Sequence, residues 1–207
     1  LEIREAVLVT RDGRHLEVEG TESCRFVDGV PAITRAIFRD VTQRKRTEQY
    51  HVCLGAPGIS RRDDRRFAAS LLDSILGGSA SSRLFQEVRE KRGLAYSVFS
   101  GLSLYRDAGL ASIYAGCANE NVGEVLDLVV AEMKGMTADV VPDAELRRAK
   151  DHLKGNLMLS LESTSSRMTH LARQDLYFDR FYTLDETLDS IEAVSGEDVL
   201  RVARDLF

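Results

Sequence analysis

Apolar and polar residues alternate near the start of the chain in the manner of short β-strands. The alternating runs cover residues 2–10, 14–23 and 32–41, and Arg11-Asp12-Gly13 and Asp28-Gly29 separate them. An Asp-Gly pair between two alternating runs is typical of a β-hairpin. This part is therefore predicted to form a small three-stranded β meander, which needs another surface to pack on.

From residue 51 the pattern changes to strands mixed with amphipathic helices. An apolar strand at 51–55 precedes the turn sequence Ala56-Pro57-Gly58. Residues 63–76 then carry apolar side chains at helical spacing and end at Gly77-Gly78, a suitable helix stop.

The stretch 76–96 (LGGSASSRLFQEVREKRGLAY) contains more breaks than one core element needs. A serine of Ser79-Ala80-Ser81-Ser82 can cap a short helix that holds Arg89 in its last turn and ends at Gly93. Tyr96 then stands at the start of a strand.

The rest of the chain completes a mixed fold. Residues 95–104 and 110–117 are predicted to pair as a hairpin. Apolar spacing and capping signals predict helices at 119–133, 142–161, 165–178 and from 195 onward. Strands interspersed with helices indicate an α+β fold, an antiparallel sheet covered by helices.

Composition limits the classes of function. The chain has 207 residues, of which 43% are hydrophobic, enough for a sizeable core. The formal net charge of −5 argues against a general nucleic-acid binder. No apolar run approaches the length of a membrane span, and charges occur where a secretory signal is apolar. We expect a soluble, cytoplasmic protein without a membrane partner.

The sequence offers no metal site or nucleophile of its own. The three cysteines are far apart and form no C-x-x-C pair. Neither H-E-x-x-H nor H-x-x-E-H occurs around the four histidines, which are His15, His51, His152 and His170. G-x-S-x-G and a phosphate-binding loop are also missing. We therefore expect no zinc and no other cofactor in this chain.

The remaining candidate site is the pair Arg89 and Tyr96, separated by Gly93. A guanidinium at a helix end and a phenol at a strand start can converge and donate hydrogen bonds to one carbonyl oxygen. The alternative is structural: Arg89 pairs with a carboxylate such as Glu87 or Glu90, and Tyr96 fills the sheet.

Residues 1–46 resemble the C-terminal end of a PAS sensory domain. The likeness rests on the order of the turns and strands and on the sequence FRDVTQRKR at residues 38–46. The front half of a PAS domain is missing. The segment is alternatively a sheet extension or a fusion remnant, and we place a boundary near residue 47.

Residues 47–207 resemble the C-terminal domain of the pitrilysin/insulinase zinc peptidase family, in its bacterial and mitochondrial processing-peptidase-like branch. The matching motifs are EQYHV at 48–52, LGG at 76–78, SRLFQEVREKRGLAY at 82–96, YAG at 114–116, the helix from Glu145-Leu146 to Gly155-Asn156, and STSSRM at 163–168.

The resemblance implies a function that this chain cannot perform alone. In that family a zinc domain with the inverted histidine motif faces a similarly folded, metal-free domain across a peptide-binding chamber. This chain matches the metal-free half, so zinc is expected on a partner domain or subunit of the same family. Arg89 and Tyr96 match an R-x6-Y motif whose side chains reach the peptide substrate or the tetrahedral intermediate.

The resemblance leaves two other functions open. The chain is alternatively an inactive scaffold or assembly subunit of the same fold, or a sensory module that acts through residues 1–46. A second copy of this chain, in a homo-oligomer, is a further candidate partner.

Overall fold

The computed structural model describes residues 3–9, 12–27, 30–40 and 49–207. The chain divides into two compact units, Leu1–Glu48 and Gln49–Phe207, each with its own sheet. The turn predicted at Asp28-Gly29 and the end of the PAS-like motif, at 41–46, lie outside the described residues. The PAS-like assignment stays a prediction.

The first unit is the predicted three-stranded meander. Its strands are β1 (Ile3–Val9), β2 (His15–Val27) and β3 (Val30–Asp40), paired antiparallel in the order β1-β2-β3. Val9 pairs with His15 across the first turn. Gly13 in that turn has φ +83°, a conformation that favours glycine, so the Asp-Gly signal predicted this hairpin correctly.

The second unit contains a three-stranded antiparallel sheet. Strands β4 (Tyr50–Gly58) and β5 (Ala95–Leu104) both pair with β6 (Gly109–Cys117), which lies in the centre. The predicted hairpin of β5 and β6 is confirmed almost to the residue.

The turn predicted at residues 56–58 is wrong, because β4 continues to Gly58 and Pro57 pairs with Leu110. An inner strand donates backbone N–H groups to the strands on both of its sides, and proline has no N–H to donate. Among the described strands, β4 is at the edge of this sheet, where one side of its backbone has no strand partner and proline is tolerated.

Helices make up most of the remaining second unit. A π-helix (Phe85–Glu90) precedes β5, and a 3-10 turn (Asn119–Asn121) follows β6. The α-helices are α1 (Arg66–Leu76), α2 (Val122–Ala138), α3 (Asp143–Ser160), α4 (Thr164–Phe178), α5 (Leu184–Glu192) and α6 (Gly196–Leu206). Helix α5 was not predicted, although Thr183 and Glu186 form a full capping box at its start.

The core of this unit lies between one sheet face and helices α1, α2 and α6. Its buried residues include Ala69, Leu71, Leu72, Val98, Ile113, Val125, Val129, Val199 and Val202. Alternate residues of the strands turn to the opposite face, where Phe99 is 48% exposed. The fold is therefore the predicted α+β class, an antiparallel sheet packed by helices.

Helix α1 ends against strand β5 at a very close contact. A Cβ added to Gly77 would lie 2.3 Å from the backbone nitrogen of Ser100. The Ser100 hydroxyl also donates to Asp73, at 2.5 Å from Oδ1. The amides of Gly77 and Gly78 donate to the Asp73 carbonyl at 3.0 and 2.8 Å. Glycine is required here by the approach of two backbones.

We expect Gly77→Ala to lower the free energy of unfolding of the chain by roughly 2–3 kcal/mol, because the backbone of β5 must move. Gly155→Ala in α3 is the control, since an added Cβ there meets nothing within 4 Å. Alanine favours a helix, so this control gains about 0.5–1 kcal/mol. Urea unfolding measures both, and equal midpoints would contradict the packing argument.

Burial raises the pKa of the Asp73 carboxyl, and the hydrogen bond from Ser100 offsets part of that effect. The folded state then holds the proton more tightly than the unfolded state, so stability falls as pH rises through the ordinary Asp value and above it. We expect Asp73→Asn to raise the melting temperature at pH 7, with a gain that shrinks below about pH 4. A loss of stability at pH 7 would refute this.

Candidate functional site

The stretch between α1 and β5 forms a short helix and a tight turn, as predicted. Arg89 lies in the last turn of the π-helix. Gly93 follows with φ +63°, where glycine is favoured, and its amide donates to the Arg89 carbonyl at 3.0 Å. Strand β5 starts two residues later, at Ala95.

The predicted serine cap of this helix is wrong, because the helix start has no side-chain cap. The hydroxyl of Ser79 donates instead to the Ser74 carbonyl at 3.3 Å. The amide of Gln86 bonds the Ser82 carbonyl at 3.0 Å, and its side chain donates to the Ala80 carbonyl at 2.8 Å. Gln86 thus stabilises the start of the helix.

Burial determines which way the π-helix faces. Leu84 and Val88 are fully buried in the core. Their neighbours Phe85 and Arg89 turn outward together, and the Arg89 guanidinium carbon lies 4.7 Å from the Phe85 ring centroid. The aromatic face supports the cation in this position.

Tyr96 lies in a β-bulge at the start of β5. Its neighbours Ala95 and Ser97 pair with Cys117 and Gly116, so two residues on β6 face three on β5. An extra residue in a strand re-aims its side chain. Tyr96 is 77% exposed and does not fill the sheet.

The structure brings the two predicted site residues together. The guanidinium carbon of Arg89 lies 5.4 Å from the Tyr96 ring centroid. Within residues 49–207, the carboxylate contact of Arg89 is Glu90, at 3.9 Å from Nε and largely exposed. A pair this long and solvated is weak. The guanidinium N–H groups and the phenol hydroxyl are therefore free to donate to a carbonyl oxygen or an oxyanion.

A half-buried ion pair fixes the helix to α3. Arg83 donates two hydrogen bonds to Glu145, at 3.0 and 2.8 Å. This bidentate contact raises the pKa of the Arg83 guanidinium above its ordinary value. The motif resemblance includes both residues, but sequence reasoning assigned no role to either.

Neither a metal cluster nor a membrane helix occurs in the described part of the chain. No group of three or more His, Cys, Asp or Glu side chains there is placed to hold a metal ion. His51 Nδ1 lies 2.6 Å from the Tyr114 hydroxyl. Among the described residues, no helix is long and apolar enough to cross a membrane. The cytoplasmic location stays a prediction.

Comparison with known proteins identifies the class. Residues 27–153 match the protein family described as the peptidase M16 inactive domain. The chain therefore belongs to this family, and the predicted family resemblance is confirmed. The match begins ahead of the boundary predicted near residue 47, which remains a prediction.

Relatives and solved structures agree with this assignment. The chain is 44% identical over 162 residues to an uncharacterized zinc protease of Streptomyces coelicolor, covering 78% of this chain and 35% of that protein. It is 41% identical over 167 residues to the uncharacterized zinc protease YmxG of Bacillus subtilis, covering 81% and 41%. The chain thus spans well under half of these curated relatives.

The fold has close counterparts. A peptidase M16 inactive domain from Pseudomonas fluorescens has a TM-score of 0.71 and 28% identity, covering 78% of this chain and 39% of that one. A protease from Helicobacter pylori has a TM-score of 0.70 at 24% identity, covering 77% and 38%. The second likeness shows the fold alone.

We expect Arg83→Met to lower the free energy of unfolding by roughly 2 kcal/mol, because Glu145 keeps its charge in a half-buried place without a partner. Arg92→Met is the control. Its contacts with Glu87 and Glu124 are longer, at 3.8 and 3.6 Å, and its side chain is 44% exposed. That change should cost less than about 0.5 kcal/mol. Chemical unfolding measures both variants. Equal losses in their free energies of unfolding would show that the ion pair of Arg83 with Glu145 does not anchor the helix.

Proposed function

We propose that this chain is the non-catalytic half of a zinc-dependent endopeptidase and that Arg89 and Tyr96 contact the peptide at its scissile carbonyl. The observation that carries this proposal is the convergence of the two side chains, with Arg89 5.4 Å from the Tyr96 ring at an exposed bulge. Membership of a family described as an inactive peptidase domain supports it.

The chemistry divides between two domains. The histidine motif of the partner domain would hold the zinc, which would supply an activated water and a polarised carbonyl there. Arg89 and Tyr96 donate hydrogen bonds to the peptide oxygen. These hydrogen bonds become stronger as negative charge develops on that oxygen. Donors fixed in advance act without reorganisation, which is why they favour the transition state over the bound substrate.

The proposed partner is a zinc-bearing peptidase domain of the same family, either in the same polypeptide or on another subunit. Two observations support this. Relatives named zinc proteases are much longer than the matched segment, which covers 35% and 41% of them. The exposed pair also has no metal-binding group beside it, since the described residues include no cluster of three or more His, Cys, Asp or Glu side chains that could hold a metal ion.

A chimera tests the proposal. The matching segment of the Bacillus subtilis relative YmxG is replaced by that of this chain, and cleavage of an unfolded peptide is followed. We expect Arg89→Ala and Tyr96→Phe each to lower kcat by about 100-fold, the usual effect of losing one oxyanion donor. Arg92→Ala, in the turn between them, should change kcat less than about threefold.

The kinetic pattern distinguishes the roles. A loss in kcat at nearly constant KM indicates contact made in the transition state, whereas a rise in KM alone indicates uniform binding. Unchanged kcat and KM in both variants would refute the assigned roles. A folded chimera that does not cleave, beside an active parent protein, would favour the scaffold function instead.

A further inference from the structure

A polar cleft of about 420 Å³ lies between the loop after β4 and helices α3 and α4. Arg61, His170 and Arg173 line it together with the hydroxyl-bearing residues Ser165 and Ser166. None of these residues belongs to the Arg89 and Tyr96 pair. The volume falls in the range of small-molecule sites.

The positive charges at this cleft are not neutralised within the second unit. Among residues 49–207, neither Arg61 nor Arg173 has a carboxylate oxygen within 4.0 Å, whereas the neighbouring Arg62 lies 3.4 Å from Asp179. The Arg61 guanidinium donates through Nε to the Leu104 carbonyl, at 3.2 Å.

Burial and charge both act on Arg61. Burial lowers the pKa of its guanidinium, the charge interaction with Tyr177 raises it, and the charges of Arg173 and Arg66 lower it again. The group still carries its charge at neutral pH, since guanidinium groups lose their proton only far above it. Like charges held together in a partly desolvated place repel each other, and an anion bound between them relieves that repulsion.

A buried glutamine orients the imidazole beside these arginines. Gln174 is 6% exposed, and its Oε1 accepts a hydrogen bond from the Tyr182 amide at 2.5 Å. Its amide nitrogen therefore donates to His170 Nε2, 2.5 Å away. Nε2 is then the acceptor, and the neutral ring carries its proton on Nδ1. His170 contributes a second kind of N–H donor.

We propose that this cleft binds a small polyanion that presents phosphate or carboxylate oxygens. Two guanidinium groups, one imidazole N–H and two hydroxyls can each donate to such oxygens. The chain as a whole is acidic, with net charge −5, so attraction of an anion here depends on the local arginines and not on the overall charge.

The test titrates the full chain with tripolyphosphate and, separately, with citrate, by calorimetry at low salt. We expect at least one to bind, with affinity that falls as salt is added. Arg173→Gln, an exposed change on α4, should weaken binding about tenfold, since it removes a charge-assisted contact. Arg167→Gln removes the same charge from the same helix outside the cleft and should change affinity less than twofold.

The two probes separate the sources of the oxygens. Binding of tripolyphosphate alone assigns the cleft to phosphate groups, and binding of citrate alone assigns it to carboxylates. Absence of binding by both probes overturns the proposal, as does an equal loss in Arg173→Gln and Arg167→Gln. Arg61→Lys keeps the positive charge and gives a second check, because we expect this variant to retain binding of the probe.

Discussion

The contact between the end of α1 and the backbone of β5 is the constraint on which the site depends. Only a hydrogen at the Cα of Gly77 allows the helix end to reach Ser100 this closely. The carbonyl and carboxylate of Asp73 then tie the end of helix α1 to strand β5. The stretch that carries Arg89 therefore begins from a fixed point on the sheet.

Two further local features place the donors. The buried pair Leu84 and Val88 fixes the outer face of the π-helix, so Arg89 lies over Phe85 at the surface. The bulge at the start of β5 turns Tyr96 out of the ladder. Each feature interrupts regular secondary structure, since a π-helix departs from the α-helical hydrogen-bond pattern and a bulge from that of the β-ladder. Such irregularities occur often at functional sites.

The sequence predicted much of this arrangement, because periodicity and turn chemistry are local. The β5–β6 hairpin, the stop at Gly77-Gly78 and the meander follow from alternation and glycine positions. The extension of β4 through Pro57 could not be predicted, because it depends on β4 being at a sheet edge. The predicted serine cap is wrong because Gln86 and backbone hydrogen bonds stabilise the start of the helix instead. Helix α5 starts at a capping box, which is a local signal in the sequence.

We propose that Arg89 and Tyr96 donate hydrogen bonds to one peptide oxygen in a site that another domain completes. The most direct measurement is a crystal structure of the YmxG chimera with an uncleaved peptide bound in the absence of zinc. We expect a guanidinium nitrogen of Arg89 and the hydroxyl oxygen of Tyr96 to lie within about 3.2 Å of the same backbone carbonyl oxygen. A peptide whose carbonyl oxygens all lie beyond about 5 Å from both side chains, outside hydrogen-bond reach, would contradict it.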